Sequence, residues 1–155
     1  VTLYLVRHAH AGDRYQWHGD DAERPISPKG LRQTEAITAT LAVQPVGRVL
    51  SSPYVRCRQT VEPLAERLSL QLELDDLLAE GTSGRAAMTL AKTLADTVAV
   101  LCSHGDVIPE LLSELLADGV QMVGPRKCEK GSIWRIDAAD GRFTAATYLG
   151  RPGEP

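Results

Sequence analysis

The chain is poor in cysteine, has no long hydrophobic run and carries no excess of positive charge, and each shortage removes a class of protein. Its three cysteines, Cys57, Cys102 and Cys128, are odd in number and form no C-x-x-C pair. A disulfide framework and a zinc ribbon therefore lack support. No arginine follows any of them at the C-x5-R spacing, so a cysteine-phosphatase mechanism is not indicated. The apolar start, Val1 to Val6, meets Arg7 and His8 at once and is too short for a signal-peptide core or a membrane span. Together with thiols that suit a reducing compartment, this leads to the expectation of a cytoplasmic protein with no membrane partner. Lys and Arg total 17 against 20 Asp and Glu, a net charge of -3, so nothing draws the whole surface toward a nucleic acid polymer. Any anion it handles must be held by positive charge gathered locally. No repeat, low-complexity tract or linker interrupts residues 1–155, which read as one domain able to bury roughly 68–70% of its unfolded surface.

Thr2 to Val6 is β-branched, aromatic and almost continuously apolar, the pattern of a strand buried on both faces. Residues 9–26 turn polar and glycine-containing, a long loop directly after a central strand, where function concentrates. Ser27-Pro28 opens a helix with Leu31, Thr34, Ile37 and Leu41 at helical spacing. Gly47 to Ser51 predicts a second strand. Ser52-Pro53 repeats the cap-plus-proline start ahead of a helix through Leu68, which Pro63 is expected to kink or split. Leu70 to Leu74 reads as an edge strand, Asp75 to Gly84 as a loop containing Glu80, and Ala86 to Leu94 as a helix. Thr97 to Cys102 is a further central strand, and a helix from about Asp106 to Ala117 stops at Asp118-Gly119. Two runs around Asp140-Gly141 form a C-terminal β-hairpin. The expected fold is α/β, a three-layer sandwich with a mainly parallel central sheet flanked by helices.

In such sheets ligands sit beyond the carboxyl ends of the strands. Three of those ends are followed by Arg7-His8, by Ser51-Ser52 leading to Arg56, and by Ser103-His104, so two arginines and two histidines gather at one edge. Singly, each has a bland reading as a solvated or structural residue; together they make an anion pocket. The chemistry needing this set is phosphoryl transfer through a histidine. A neutral imidazole attacks phosphorus in line if its other nitrogen is held as a donor, a role that suits His8. Arg7, Arg56 and a protonated His104 suit the equatorial oxygens, where charge spreads in the transition state, without metal or other cofactor. A leaving alkoxide needs a proton, and Glu80 is the candidate acid, with a solvated loop carboxylate as its alternative reading. A metal site from His8, His10 and His18 has little support, since H-x-H stands there without a cysteine or an obvious carboxylate ligand.

The runs LVRHA at 5–9, SSPYVRCRQT at 51–60 and SHG at 103–105 resemble the three diagnostic segments of the histidine phosphatase superfamily, also called phosphoglycerate-mutase-like. Arg24-Pro25-Ile26-Ser27 through Gly30 is similar to the R-P-L-T…G segment that opens its first helix. The resemblance spans roughly residues 2 to 149. It implies that His8 becomes phosphorylated, that Arg7 and Arg56 clamp phosphate, and that His104 is the second pocket histidine. The frequent R-H-G-E/Q opening is R-H-A-H here, with Ala9 and His10, which implies a differently built loop. Lacking the insertions of the mutases, the chain looks like the short, SixA-like branch of phosphohistidine phosphatases. Trp17-His18-Gly19-Asp20-Asp21 and Lys130-Gly131-Ser132 also look similar to the phosphatase half of Nudix–phosphatase fusions in actinobacteria, which implies a nucleotide-type phosphate. Trp17 suits stacking on a base, with packing onto its own scaffold as its alternative reading. Two functions follow as expectations. One is a metal-independent phosphatase acting through phospho-His8 on a phosphohistidine protein or a small phosphorylated metabolite or nucleotide. The other is a catalytically weak module that binds a phosphorylated partner.

Overall fold

A computed structural model describes residues 1–154. Strand β1 (Thr2–Arg7) is followed by α1 (Pro28–Leu41), β2 (Arg48–Ser51), α2 (Val55–Arg67), β3 (Leu72–Leu74) and α3 (Gly84–Thr93). Then come β4 (Ala99–Ser103), α4 (Val107–Ala117), β5 (Gln121–Val123), β6 (Ile133–Ala139) and β7 (Arg142–Gly150). Single 3-10 turns lie at Asp21–Glu23 and Asp76–Leu78. The strands form one sheet in the order β3-β2-β4-β1-β6-β7-β5. Pairing is parallel between β3 and β2, β2 and β4, β4 and β1, and β5 and β7, and antiparallel where β6 joins β1 and β7. The expected α/β architecture, mainly parallel with a C-terminal hairpin, is the observed one.

The apolar runs of β1 and β4 are explained by helices on both faces. Side chains alternate across a strand, so Leu3 and Leu5 pack with Leu101, Leu111 and Leu112 on the side of α3 and α4. Tyr4 and Val6 pack with Val100, Cys102, Ile37 and Leu64 on the side of α1 and α2. Truncating one of these to alanine costs about 2–5 kcal/mol. Register places Arg7 beside Ser103 and Ser51 beside Cys102. The carboxyl ends of β1, β4 and β2 therefore finish level, and the residues after them converge.

Helix α1 begins as its sequence predicts, with Ser27 Oγ accepting from the Gly30 amide at 3.1 Å and Pro28 in the first turn. Its inward face differs from the expected one: Leu31 is exposed, and Gly30 packs so tightly on the His10 carbonyl that a Cβ there would overlap it. Two expectations for α2 fail. It starts at Val55 rather than Pro53, without a side-chain cap, because Ser52 is committed to a histidine described below. Of the kink or split expected at Pro63, the split is absent: α2 runs unbroken to Arg67. Gln59, whose carbonyl Pro63 leaves without its helical donor, lines with Pro63 an open hollow of about 600 Å³ between α1 and α2. The hairpin turn has Asp140 at φ 53° and Gly141 at φ 74°, the left-handed pair its twist requires. Strand β5 went unforeseen, being three residues long and largely exposed. No helix among the described residues is long and apolar enough to cross a membrane.

Candidate active site

His8 follows β1 and is tied to β4 by its amide, which donates to the Ser103 carbonyl at 3.0 Å. Its Nδ1 lies 2.8 Å from the Ala9 carbonyl, and since a carbonyl only accepts, Nδ1 carries the proton. Nε2 then holds the lone pair and takes no protein partner among the described residues. Burial drives the His8 pKa from 6.5 down to about 2; the Ala9 bond opposes this, and neighbouring His104, Arg56 and Arg7 add to it. The ring is neutral at physiological pH.

His104, after β4, is buried with its ring centroid 5.4 Å from that of His8. Its Nε2 pairs with Ser52 Oγ at 2.9 Å, while Nδ1 is buried and unpartnered. Ser52, at the end of β2, also accepts from the Tyr54 amide, so the serine expected to cap α2 instead orients a histidine. Tyr54 packs edge-on to His104, centroids 4.8 Å apart, and lies 5.0 Å below the Arg56 guanidinium. Cys57, next to Arg56 in sequence, is fully buried, 3.5 Å from His104 Nε2. It sits one helical step inward of Arg56, facing the core.

The two arginines are held differently. Arg7 donates through Nη1 to the Cys128 carbonyl at 2.7 Å, leaving its buried Nε unpartnered. A Cβ on Gly105 would stand 2.5 Å from Arg7 Cζ, so only glycine lets the guanidinium cross there. Arg56 is fully buried; it donates through Nη1 to the Asp21 carbonyl (2.8 Å) and through Nη2 to the Asp21 carboxylate (3.0 Å), and its Nε is likewise unpartnered. Three buried side-chain nitrogens, Arg7 Nε, Arg56 Nε and His104 Nδ1, thus have no protein partner among the described residues, and the two guanidinium N–H groups can only donate.

Glu80 reaches the same region from the loop after β3. Its Oε1 accepts from Arg14 Nη2 at 3.1 Å and lies 3.5 Å from Arg56 Nη2. Asp21 and Arg14 are functional neighbours that sequence reasoning missed. Asp21 also accepts from Arg24 Nε at 3.0 Å, and buried Arg24 donates to the Ala11 carbonyl. Burial alone would raise the Asp21 carboxyl, but Arg24 and Arg56 outweigh it and hold its pKa below the usual value. Arg24 and Asp21 were visible only as members of quoted segments, without these contacts, and Arg14 had no signal beyond its place in a long polar loop. His10 turns away: its Nδ1 pairs with Ser27 Oγ at 2.6 Å and its amide donates to Gln33, fastening the loop to α1. Trp17 spends its indole N–H on the Asp20 carbonyl, is partly exposed and is not among the residues lining the cleft over His8. His8, His10 and His18 form no group able to hold a metal ion, nor do any three His, Cys, Asp or Glu among the described residues. A cleft of about 450 Å³ opens over His8, with Arg7, Arg14, Arg24 and Lys130 in its walls.

Residues 3–90 match the model of the histidine phosphatase superfamily (branch 1). The chain is 34% identical over 161 aligned positions to an 8-oxo-(d)GTP phosphatase of Mycolicibacterium smegmatis, an alignment covering 99% of this chain and 49% of that protein. An uncharacterized protein of Picosynechococcus is 39% identical over 69 residues, 42% of this chain and 40% of the relative. The chain thus spans half or less of the length of these curated relatives. A solved structure of the protein histidine phosphatase SixA with tungstate superposes with a TM-score of 0.77 at 20% identity, over 98% of this chain and 97% of that one. A SixA-type structure from Nakamurella gives 0.72 at 23% identity over 99% and 96%, a likeness of fold. The matched segment contains the RHA and SSPYVR stretches that bring His8 and Arg56 to the sheet edge, and the chain belongs to the histidine phosphatase superfamily.

Proposed function

We propose that the chain is a phosphatase that works through a phosphohistidine on His8, hydrolysing phosphohistidine or a small phosphorylated metabolite or nucleotide in the cytoplasm without a metal cofactor. One observation carries this reading: a neutral imidazole, proton fixed on Nδ1 by a backbone carbonyl, shares its sheet edge with three buried, unpartnered side-chain nitrogens. Nε2 attacks phosphorus while Arg7, Arg56 and His104 take the equatorial oxygens. Water then cleaves the N–P bond. Glu80 is the proposed proton donor to the leaving oxygen, and its contacts with Arg14 and Arg56, the latter one of the proposed phosphate clamps, support that role. The relative named for 8-oxo-(d)GTP supports a nucleotide-type substrate.

A second reading, a module that binds a phosphorylated partner without turnover, draws on the same Glu80: its recorded bonds are acceptances from guanidiniums, unlike those of a proton donor. Rapid acid-free quench with labelled substrate in excess chelator separates the two. The phosphatase reading expects an acid-labile, base-stable phosphoenzyme that His8→Ala abolishes together with phosphate release. Tight binding with no phosphoenzyme and no release supports the module instead.

A further inference from the structure

Lys130 has a place in the cleft that the transfer of one phosphoryl group does not use. It lies in the turn before β6, and that turn is bolted across the end of β1. The Gly131 amide donates to the carbonyls of both Arg7 and His8 at 3.1 Å, and the Ser132 amide to Glu129 at 2.9 Å. Arg7 Nη1 holds the Cys128 carbonyl from below, and Arg151 Nε holds the Lys130 carbonyl at 2.8 Å. Gly131, at φ 79°, passes Gln33 so closely that a Cβ would stand 3.1 Å from its Oε1. The backbone of Lys130 is therefore fixed beside the end of β1, and its side chain lines the cleft over His8.

The charges around it are unevenly matched. Arg24 pairs with Asp21, Arg14 with Glu80, and Arg56 with both carboxylates. Arg7 and Lys130 have no carboxylate partner among the described residues. The ammonium is half-buried, and burial together with repulsion from Arg7, Arg24, Arg14 and Arg151 lowers its pKa. Crowding cations without a counter-anion is costly unless an anionic ligand completes the set. With the buried arginines and His104 assigned to the transferred phosphoryl in the phospho-His8 reading, Lys130 is left for another anion beside it.

We propose that Lys130, with Arg14 in the same cleft, forms a second anion subsite that holds a phosphate in the leaving group, making phosphoanhydrides of the nucleoside diphosphate kind the preferred substrates. The proposal rests on the phospho-His8 reading and narrows it. His8 Nε2 forms a bond to the terminal phosphorus; the bond from that phosphorus to the bridging oxygen breaks, and the electron pair stays on the bridging oxygen, which leaves as a phosphate monoester. Water then adds to the phosphorus as the N–P bond breaks, the pair returns to Nε2, and inorganic phosphate departs with release of a proton. A leaving phosphate has a second pKa of about 6, so it departs with far less protonation than an alkoxide needs. That fits an acid candidate, Glu80, held by two guanidiniums.

The test compares kcat/KM for guanosine diphosphate, inorganic pyrophosphate, p-nitrophenyl phosphate and a phosphohistidine peptide in wild type, Lys130→Met, Lys130→Arg and His8→Ala. Wild type is expected to favour guanosine diphosphate over p-nitrophenyl phosphate by at least about tenfold, and Lys130→Met to cut that ratio about tenfold, mostly through KM, because one charge-assisted contact is lost. Lys130→Arg restores most of the ratio. Pyrophosphate matching guanosine diphosphate shows that the subsite reads the phosphate alone; a lag shows that the nucleoside is read too, and either is consistent with the subsite. A ratio unmoved by Lys130→Met, or a preference for the phosphohistidine peptide, overturns the proposal while His8-dependent turnover keeps the phosphatase reading. Absence of turnover and of phosphoenzyme on all four probes overturns both.

Discussion

The floor of the cleft and its mouth are built from different materials. The floor, His8, His104, Ser52 and Arg56, is buried and held largely by backbone carbonyls and short neighbouring side chains at three strand ends. At the mouth, Arg14 and Glu80, separated by 66 residues in sequence, are joined by a partly exposed ion pair. A buried, hydrogen-bonded imidazole keeps one orientation, whereas an exposed guanidinium–carboxylate pair exchanges partners readily and contributes little stability. The floor is where chemistry must be exact; the mouth is where substrates can differ.

Four experiments sharpen or break that contrast. The largest effect is expected from His8→Ala, which removes the proposed attacking nitrogen and should lower kcat about ten-thousandfold, equivalent to about 5.5 kcal/mol, in a phosphate-release assay. Loss of less than about tenfold would place the nucleophile elsewhere. Gly105→Ala drives a methyl into Arg7 Cζ and should cost about a hundredfold in kcat/KM, with the fold retained by circular dichroism. The third experiment is a titration of stability. His8 has a folded pKa of about 2 against 6.5, so below pH 6.5 the unfolded chain takes up a proton that the folded chain refuses. Its contribution is therefore lost as pH falls: between about pH 7 and about pH 5 wild type should lose about 2 kcal/mol relative to His8→Gln in urea unfolding. Parallel curves would mean that the ring charges in the folded state. The smallest effect belongs to the mouth, where Arg14→Ala should change stability by under about 1 kcal/mol. A larger loss would make the mouth as rigid as the floor.

The same contrast governs what could be read from the sequence. His8, Arg7, Arg56 and His104 were legible because each follows an apolar run that only a central strand explains, and parallel strands end at one edge. Glu80 was placed in the correct loop by the same logic. Asp21 was not legible, because its bridge between Arg24 and Arg56 depends on how residues 9–26 coil, which no periodicity encodes. Ser52 misled for a physical reason: a serine before proline suits a helix cap and a histidine partner equally, and only tertiary packing decides between them. At Pro63 the residues show only that one helical donor is lost, and whether the helix breaks there depends on the packing around it. Cys57 turned inward because Arg56, one residue before it, turns toward the site.

The amide of Gly131, shared between the carbonyls of Arg7 and His8, makes a spectroscopic gauge. It belongs to a loop, yet its hydrogen exchange should be slowed to the pace at which the end of β1 itself opens, so one resonance reports whether the reactive centre is intact in any variant or ligand mixture.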